Sequence, residues 1–216
     1  MKGTLFIISI ILCSMAYGQK HRAGLYTKAG LSTSNELNAS GLFNNPFLSY
    51  GIGLQHEYEL STKLSLSSSI DFARIGYNYD RLLPLSFGSP NSNARLVSGE
   101  EWTLAGISIG TKYWIRDMYF GAQGSYSRIL RSEAPLYFSA NRKANESFDS
   151  SFLHANYLIG VTIELGYNFY DTDTSCGRIS LFAYQNITDL RAEEFSTNST
   201  KRLLWIGVKA SYSLKL

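Results

Sequence analysis

Residues 156–169 read NYLIGVTIELGYNF. Tyr157, Ile159, Val161, Ile163, Leu165, Tyr167 and Phe169 share one parity; Asn156, Gly160, Thr162, Glu164, Gly166 and Asn168 share the other, and Leu158 is the one exception. Successive side chains of a strand point to opposite faces, so this is a strand with one apolar face and one polar face that carries a glutamate. A soluble lipocalin-like barrel also alternates, but it turns the apolar face inward and covers its outside with Lys and Glu. Here the polar parity is mainly Gly, Thr and Asn. That suits a crowded interior, with the apolar parity turned out onto lipid. The rise from Tyr157 to Phe169 is about 40 Å at about 3.3 Å per residue, and a tilt near 45° lowers it to about 28 Å. This covers an apolar band about 25 Å tall and leaves Tyr157 at one interface and Tyr167 with Phe169 at the other.

Similar alternation recurs at about 22–32, 47–60, 64–79, 101–115, 118–130, 178–187 and 202–216, which makes eight strands in all. The connections at 61–63, 116–117 and the YDTDTSCG segment (170–177) are short. Those at 33–46, 80–100, 131–151 and 188–201 are long and polar. Strict alternation of short and long connections is the mark of an up-and-down antiparallel transmembrane β-barrel, with short turns in the periplasm and long loops outside. An even strand number returns both chain ends to the periplasmic side.

The first residues belong to export rather than to the barrel. Lys2, the apolar run 5–12 and the small residues around Ala16 and Gly18 form a signal-peptide pattern, too short for a membrane-spanning helix. The expected division is a signal peptide at 1–18 and a barrel domain at 19–216. Leu12 occupies the place where a small residue precedes a lipidated cysteine, so Cys13 is not expected to carry lipid. The chain has 20 basic and 17 acidic residues; loss of Lys2 with the signal leaves a net charge of +2, too balanced for a nucleic-acid binder. Cys176 is the one cysteine of the mature chain, so export brings no disulfide.

With a signal ending AYGQ (16–19), eight strands, four long loops and no further domain, the mature chain resembles the PorT-like small outer-membrane barrels and, more distantly, the OmpA and OmpX barrels. The resemblance implies an integral outer-membrane barrel; members range from adhesion and structural proteins to parts of secretion or assembly machinery. Such barrels usually end in an aromatic residue, whereas this chain ends in Leu216 with Tyr212 nearby.

Parity places Lys28, Glu57, Asp71, Lys112, Glu164 and Lys209 in the lumen, three charges of each sign from six strands. An eight-stranded barrel is just wide enough for side chains to fill, so these charges are expected to pair and close the tube rather than line an aqueous channel. Catalysis has little to build on. Ser151, Asp149 and His154 lie close in sequence, but no motif supports a lipid-modifying triad. Asp171 and Asp173 lack the glycine and terminal glutamate of a calcium loop. No cofactor, metal or catalytic residue is expected. The expected partners are outer-membrane lipid and another envelope or extracellular protein, met through the two longest loops at Leu82, Leu83, Leu85, Phe87, Tyr137 and Phe138.

Overall fold

The computed structural model describes residues 21–34, 46–84, 93–138, 146–149, 156–189 and 202–216; at 78–84, 93–99, 134–138 and 146–149 it describes the backbone alone. The strands are β1 (His21–Ser34), β2 (Phe47–Ser61), β3 (Leu64–Pro84), β4 (Asn93–Ile115), β5 (Met118–Phe138), β6 (Glu146–Asp149), β7 (Tyr157–Asp171), β8 (Ser175–Asn186) and β9 (Leu203–Lys215). Eight of them form a closed antiparallel barrel. Each pairs with the next in sequence, β5 with β7 across the short β6, and β9 closes onto β1 from Arg22↔Lys215 to Ser34↔Leu203. Closure satisfies every wall strand on both edges, which a bilayer requires because its core offers no water to unpaired backbone groups.

The apolar parity faces outward. On β7, Tyr157, Ile159, Val161, Ile163, Leu165, Tyr167 and Phe169 are exposed, while Leu158, Gly160, Glu164 and Gly166 are buried in the lumen. The other wall strands follow, with Leu25, Leu54, Ile70, Ile109, Phe120, Leu181 and Ile206 all on the outside. A soluble barrel would invert this. The wall is that of a transmembrane barrel, ringed at one end by Tyr113, Tyr167, Tyr170 and Tyr212 and at the other by Tyr50, Tyr126 and Tyr157.

The short turns are held locally. Arg116, between Ile115 and Met118, takes a φ of 57° to turn the β4–β5 hairpin in two residues. Between β2 and β3, the Ser61 hydroxyl accepts the amides of Lys63 (3.3 Å) and Leu64 (3.1 Å). At the β7–β8 turn, the Thr172 amide donates to the Ser175 carbonyl at 2.8 Å.

The long connections need correction. β3 and β4 remain paired from Leu64↔Tyr113 as far as Pro84↔Asn93, and β5 continues to Phe138. Leu82 and Leu83 are therefore strand residues opposite Arg95 and Ala94, and Tyr137 and Phe138 are strand residues opposite Val97 and Leu96. Leu85 and Phe87 fall outside the described residues. The pairing continues because the two arms of an antiparallel hairpin satisfy each other whether lipid or water surrounds them. The described pairing runs to Pro84↔Asn93. Above the rim the contrast between lipid and lumen is gone, and with it the alternation that marks a strand in the sequence. β2 stops pairing with β3 at Tyr50↔Arg74, and β7 stops pairing with β5 at Tyr157↔Arg128. Beyond these points β3, β4 and β5, with β6 paired to β5 from Glu133↔Asp149 to Leu136↔Glu146, continue the same sheet as a four-stranded extension on one side of the barrel. A register shift near Thr103 and Leu104 leaves Leu130 without a ladder partner, so that Ser132 rather than Arg131 is buried.

Candidate functional site

The lumen contains two unlike halves. Nearer the short turns lies an ion network. The Glu57 carboxylate accepts from Lys112 Nζ at 2.9 Å, Arg178 Nη1 at 2.5 Å and the Ser65 hydroxyl at 3.0 Å, with Arg22 at 3.9 Å. These cations also stack on aromatics. Arg178 lies 4.7 Å above the Trp114 ring, Arg22 lies 5.9 Å from the same ring, and Lys112 lies 4.9 Å from Tyr119. A desolvated cation over an aromatic face gains about 2 kcal/mol, which offsets part of the cost of burial. At the mouth, Lys215 pairs with Asp171 at 2.6 Å and Arg22 with Glu59.

One level higher, Glu164 accepts from Tyr119 at 2.5 Å, Ser180 at 2.6 Å and Lys209 at 3.4 Å. Lys28 and Lys209 are direct register partners on β1 and β9. Like charges so placed repel, and each is drawn to its own carboxylate, Lys28 to Asp71 on β3 and Lys209 to Glu164 on β7. The lumen thus brings together Glu57 with Lys112, Asp71 with Lys28 and Glu164 with Lys209. Sequence reading missed Arg178 and Arg22. Both stand at the first position of the strands as read, 22–32 and 178–187, and Arg178 shares its parity with Ser180, Phe182 and Tyr184 on β8, so the parity rule applied to the strand ends would have found them.

The outer half is built round an apolar cluster, with the buried Ser32, Ser49 and Asn186 hydrogen-bonded beside it. Ile75, Tyr77, Trp102, Leu104, Leu158, Phe182, Tyr184, Leu203 and Trp205 form one buried cluster, with Phe182 edge-on to Trp205 at 5.0 Å and Tyr77 tilted on Trp102 at 5.6 Å. Sequence reading took the inward parity as mainly polar and did not foresee this cluster. The cluster explains why Leu158 breaks the pattern of its strand: it sits at cluster height, where an apolar inward residue is what fits. A cavity of about 50 Å³ separates the halves, bordered below by Lys28, Asp71, Glu164 and Lys209 and above by Ile75, Leu104, Phe182 and Trp205.

The inward glycines make room for rings. A Cβ at Gly166 would lie 2.2 Å from the ring of Tyr119, its cross-strand partner, and one at Gly53 would lie 2.6 Å from the ring of its partner Tyr26. Gly166→Ala is therefore expected to displace Tyr119 from Glu164 and to cost about 1–3 kcal/mol, the usual range for overpacking, read as a shift in urea midpoint in detergent micelles. An unchanged midpoint would mean that the ring moves freely.

The catalytic alternative gains no geometry. Ser151 and His154 lie outside the described residues, and Asp149 ends β6, where the backbone alone is described. His21 and His56 lie together at the short-turn end, Nδ1 to Nε2 at 3.1 Å, with His21 also against Tyr58. Among the described residues, no three His, Cys, Asp or Glu side chains converge to hold a metal ion.

No protein-family model matches the chain, and no curated sequence matches it either. Among solved structures it is similar to Neisserial surface protein A, at 12% identity over 91% of this chain and 97% of that one, with a TM-score of 0.43. It is also similar to Ail, the attachment invasion locus protein of Yersinia pestis, solved with the heparin analogue sucrose octasulfate: 10% identity, 91% and 99% coverage, TM-score 0.42. A third is the outer-membrane protein OprG of Pseudomonas aeruginosa, at 10% identity, 91% and 94% coverage and a TM-score of 0.37.

Proposed function

We propose that this chain is a non-enzymatic outer-membrane protein of the PorT-like kind whose lumen is closed and whose task is carried by the sheet and loops on the outer side. The observation that supports this most is the content of the lumen: paired charges below, the Trp102–Trp205 cluster above, and about 50 Å³ of space between them. A tube filled in this way serves as a rigid scaffold for what stands above it. The outer face, apolar between two aromatic rings, sets the depth in the bilayer, and the short turns lie on the side of both chain ends, the periplasmic side. The mature chain begins at Gln19.

The β3–β4 hairpin and the end of β5 leave the wall together, and they carry Leu82, Leu83, Tyr137 and Phe138. With Leu85 and Phe87 between the arms, this region is the contact surface for an envelope or extracellular protein, because rigid scaffolds place recognition on what projects from them. Planar-bilayer recordings are expected to show no steady porin-sized conductance; a large ohmic pore in the wild type would overturn the closed-lumen reading. Replacing 82–90 by a Gly/Ser linker should leave membrane insertion and heat-modifiable gel migration unchanged while lowering recovery of a cross-linked partner. Equal recovery would place the interaction on the wall or the periplasmic turns.

A further inference from the structure

The lipid-facing wall has a depression between β1, β2, β3 and β9. On β1 and β9 the outward positions Thr27, Ala29 and Ala210 are small, whereas Leu25 and Leu31 on the same strand are large and exposed. Ile52 and Phe72 rise on one side and Val208 on the other, enclosing a groove of about 730 Å³. Its outer end is polar. Arg74 donates through Nε to Glu101 at 2.9 Å and through Nη1 to the Tyr50 hydroxyl at 3.4 Å, and its side chain remains 43% exposed. Arg74 and Glu101 share the outward parity with Phe72 and Thr103, so the pair stands on the membrane side of the wall rather than in the lumen. An outward arginine costs about 2–4 kcal/mol at the midplane and about 0–1 near the interface, so this ion pair marks the head-group level of the outer leaflet.

We propose that this groove binds one outer-leaflet lipid with a phosphorylated sugar head group, an acyl chain lying over Thr27 and Ala29 and the head group at Arg74, Glu101 and Tyr50. The inference rests on the outer-membrane placement above. In the bilayer, the molecule that surrounds a groove in this wall is lipid, and an apolar groove of this size with a few convergent polar groups has the composition of a ligand site. The head-group class follows from the charges. Arg74 offers N–H donors to a phosphate oxygen, while the Glu101 carboxylate repels a bare phosphate and instead accepts from hydroxyl groups. A head group with both phosphate and sugar hydroxyls can share Arg74 with its present partners Glu101 and Tyr50, the phosphate taking the exposed guanidinium and a hydroxyl donating to the phenol or the carboxylate.

The test is native mass spectrometry of the full-length protein, extracted from outer membrane in mild detergent and then titrated with diphosphorylated lipid A or with phosphatidylethanolamine. The wild type is expected to retain one lipid A adduct. Thr27→Leu/Ala29→Leu, which fills the groove with side chains that lipid already tolerates elsewhere on the wall, should remove the adduct. Arg74→Gln should weaken lipid A by about tenfold, the effect of losing a charge-assisted hydrogen bond, and phosphatidylethanolamine, which has a phosphate but no sugar hydroxyls, should bind the wild type more weakly than lipid A does. Heat-modifiable migration of the same samples reports separately on the barrel. Protein that is soluble without detergent would overturn the membrane placement. A folded, heat-shifting wild type would overturn the lipid site alone if it carries no adduct, binds both lipids equally, or binds lipid A no better than the groove-filled variant.

Discussion

Glu57→Ala is expected to destabilise the barrel by about 3–5 kcal/mol, the cost of removing one partner from a buried ion pair. Lys112 and Arg178 are both almost fully buried, and both direct a charge at this carboxylate. Without it, the two cations face each other in the lumen with the rings of Trp114 and Tyr119 and, for Arg178, the Asn168 side-chain carbonyl oxygen at 2.8 Å, but no carboxylate within ion-pair distance among the described residues. Repulsion then adds to desolvation. Unfolding by urea in micelles, followed through tryptophan fluorescence, measures the loss. Adding Lys112→Met should recover part of it, because it removes one stranded charge, and the interaction energy of that double-mutant cycle should be non-zero. A loss below about 1 kcal/mol would mean that water reaches this level of the lumen and hydrates the cations.

Trp102→Ala should cost about 3–5 kcal/mol by a different route. Trp102 is wholly buried in the apolar half, against Tyr77, and truncation leaves a cavity in a place where the closed wall cannot collapse. The comparison is with an outward residue of similar burial chemistry in lipid: Phe72→Ala loses contacts that acyl chains replace, so its effect should be much smaller. Equal effects of the two substitutions, measured by the same urea titration, would show that the apolar cluster does not hold the mouth of the barrel. Both expectations follow from the same feature, a lumen whose side chains depend on partners from distant strands.

How much of this was legible beforehand can be argued from particular residues. The alternation over 156–169 located β7 and assigned Glu164 and Ile163 to opposite faces, and the rhythm of short and long connections gave eight wall strands closing as a meander. These are local properties. A strand side chain faces one way or the other by its parity alone, and a turn is short or long within its own segment. Sequence also assigned Lys28 and Lys209 to the same interior. It did not reveal that they stand opposite each other, nor that their carboxylates come from β3 and β7.

Tertiary structure decided who meets whom across the tube. Glu57 and Arg178 are 121 residues apart and are joined only because the sheet closes. The same closure gathered Trp102 and Trp205 into one apolar cluster and set Trp114 against Arg178, separating a charged half of the lumen from a more apolar one. The lengths of β3, β4 and β5 were likewise hidden, and Leu82, Leu83, Tyr137 and Phe138 read as loop, because above the rim both faces of a strand meet similar surroundings and selection for alternation ceases. Sequence by itself determined which face each wall residue takes, since that depends on a period of two and the contrast between lipid and interior. Only the tertiary structure decided the pairing of charges, the height of the apolar cluster and the reach of the projecting sheet, since these depend on register between strands far apart in the chain, and a single sequence carries no local signal of register.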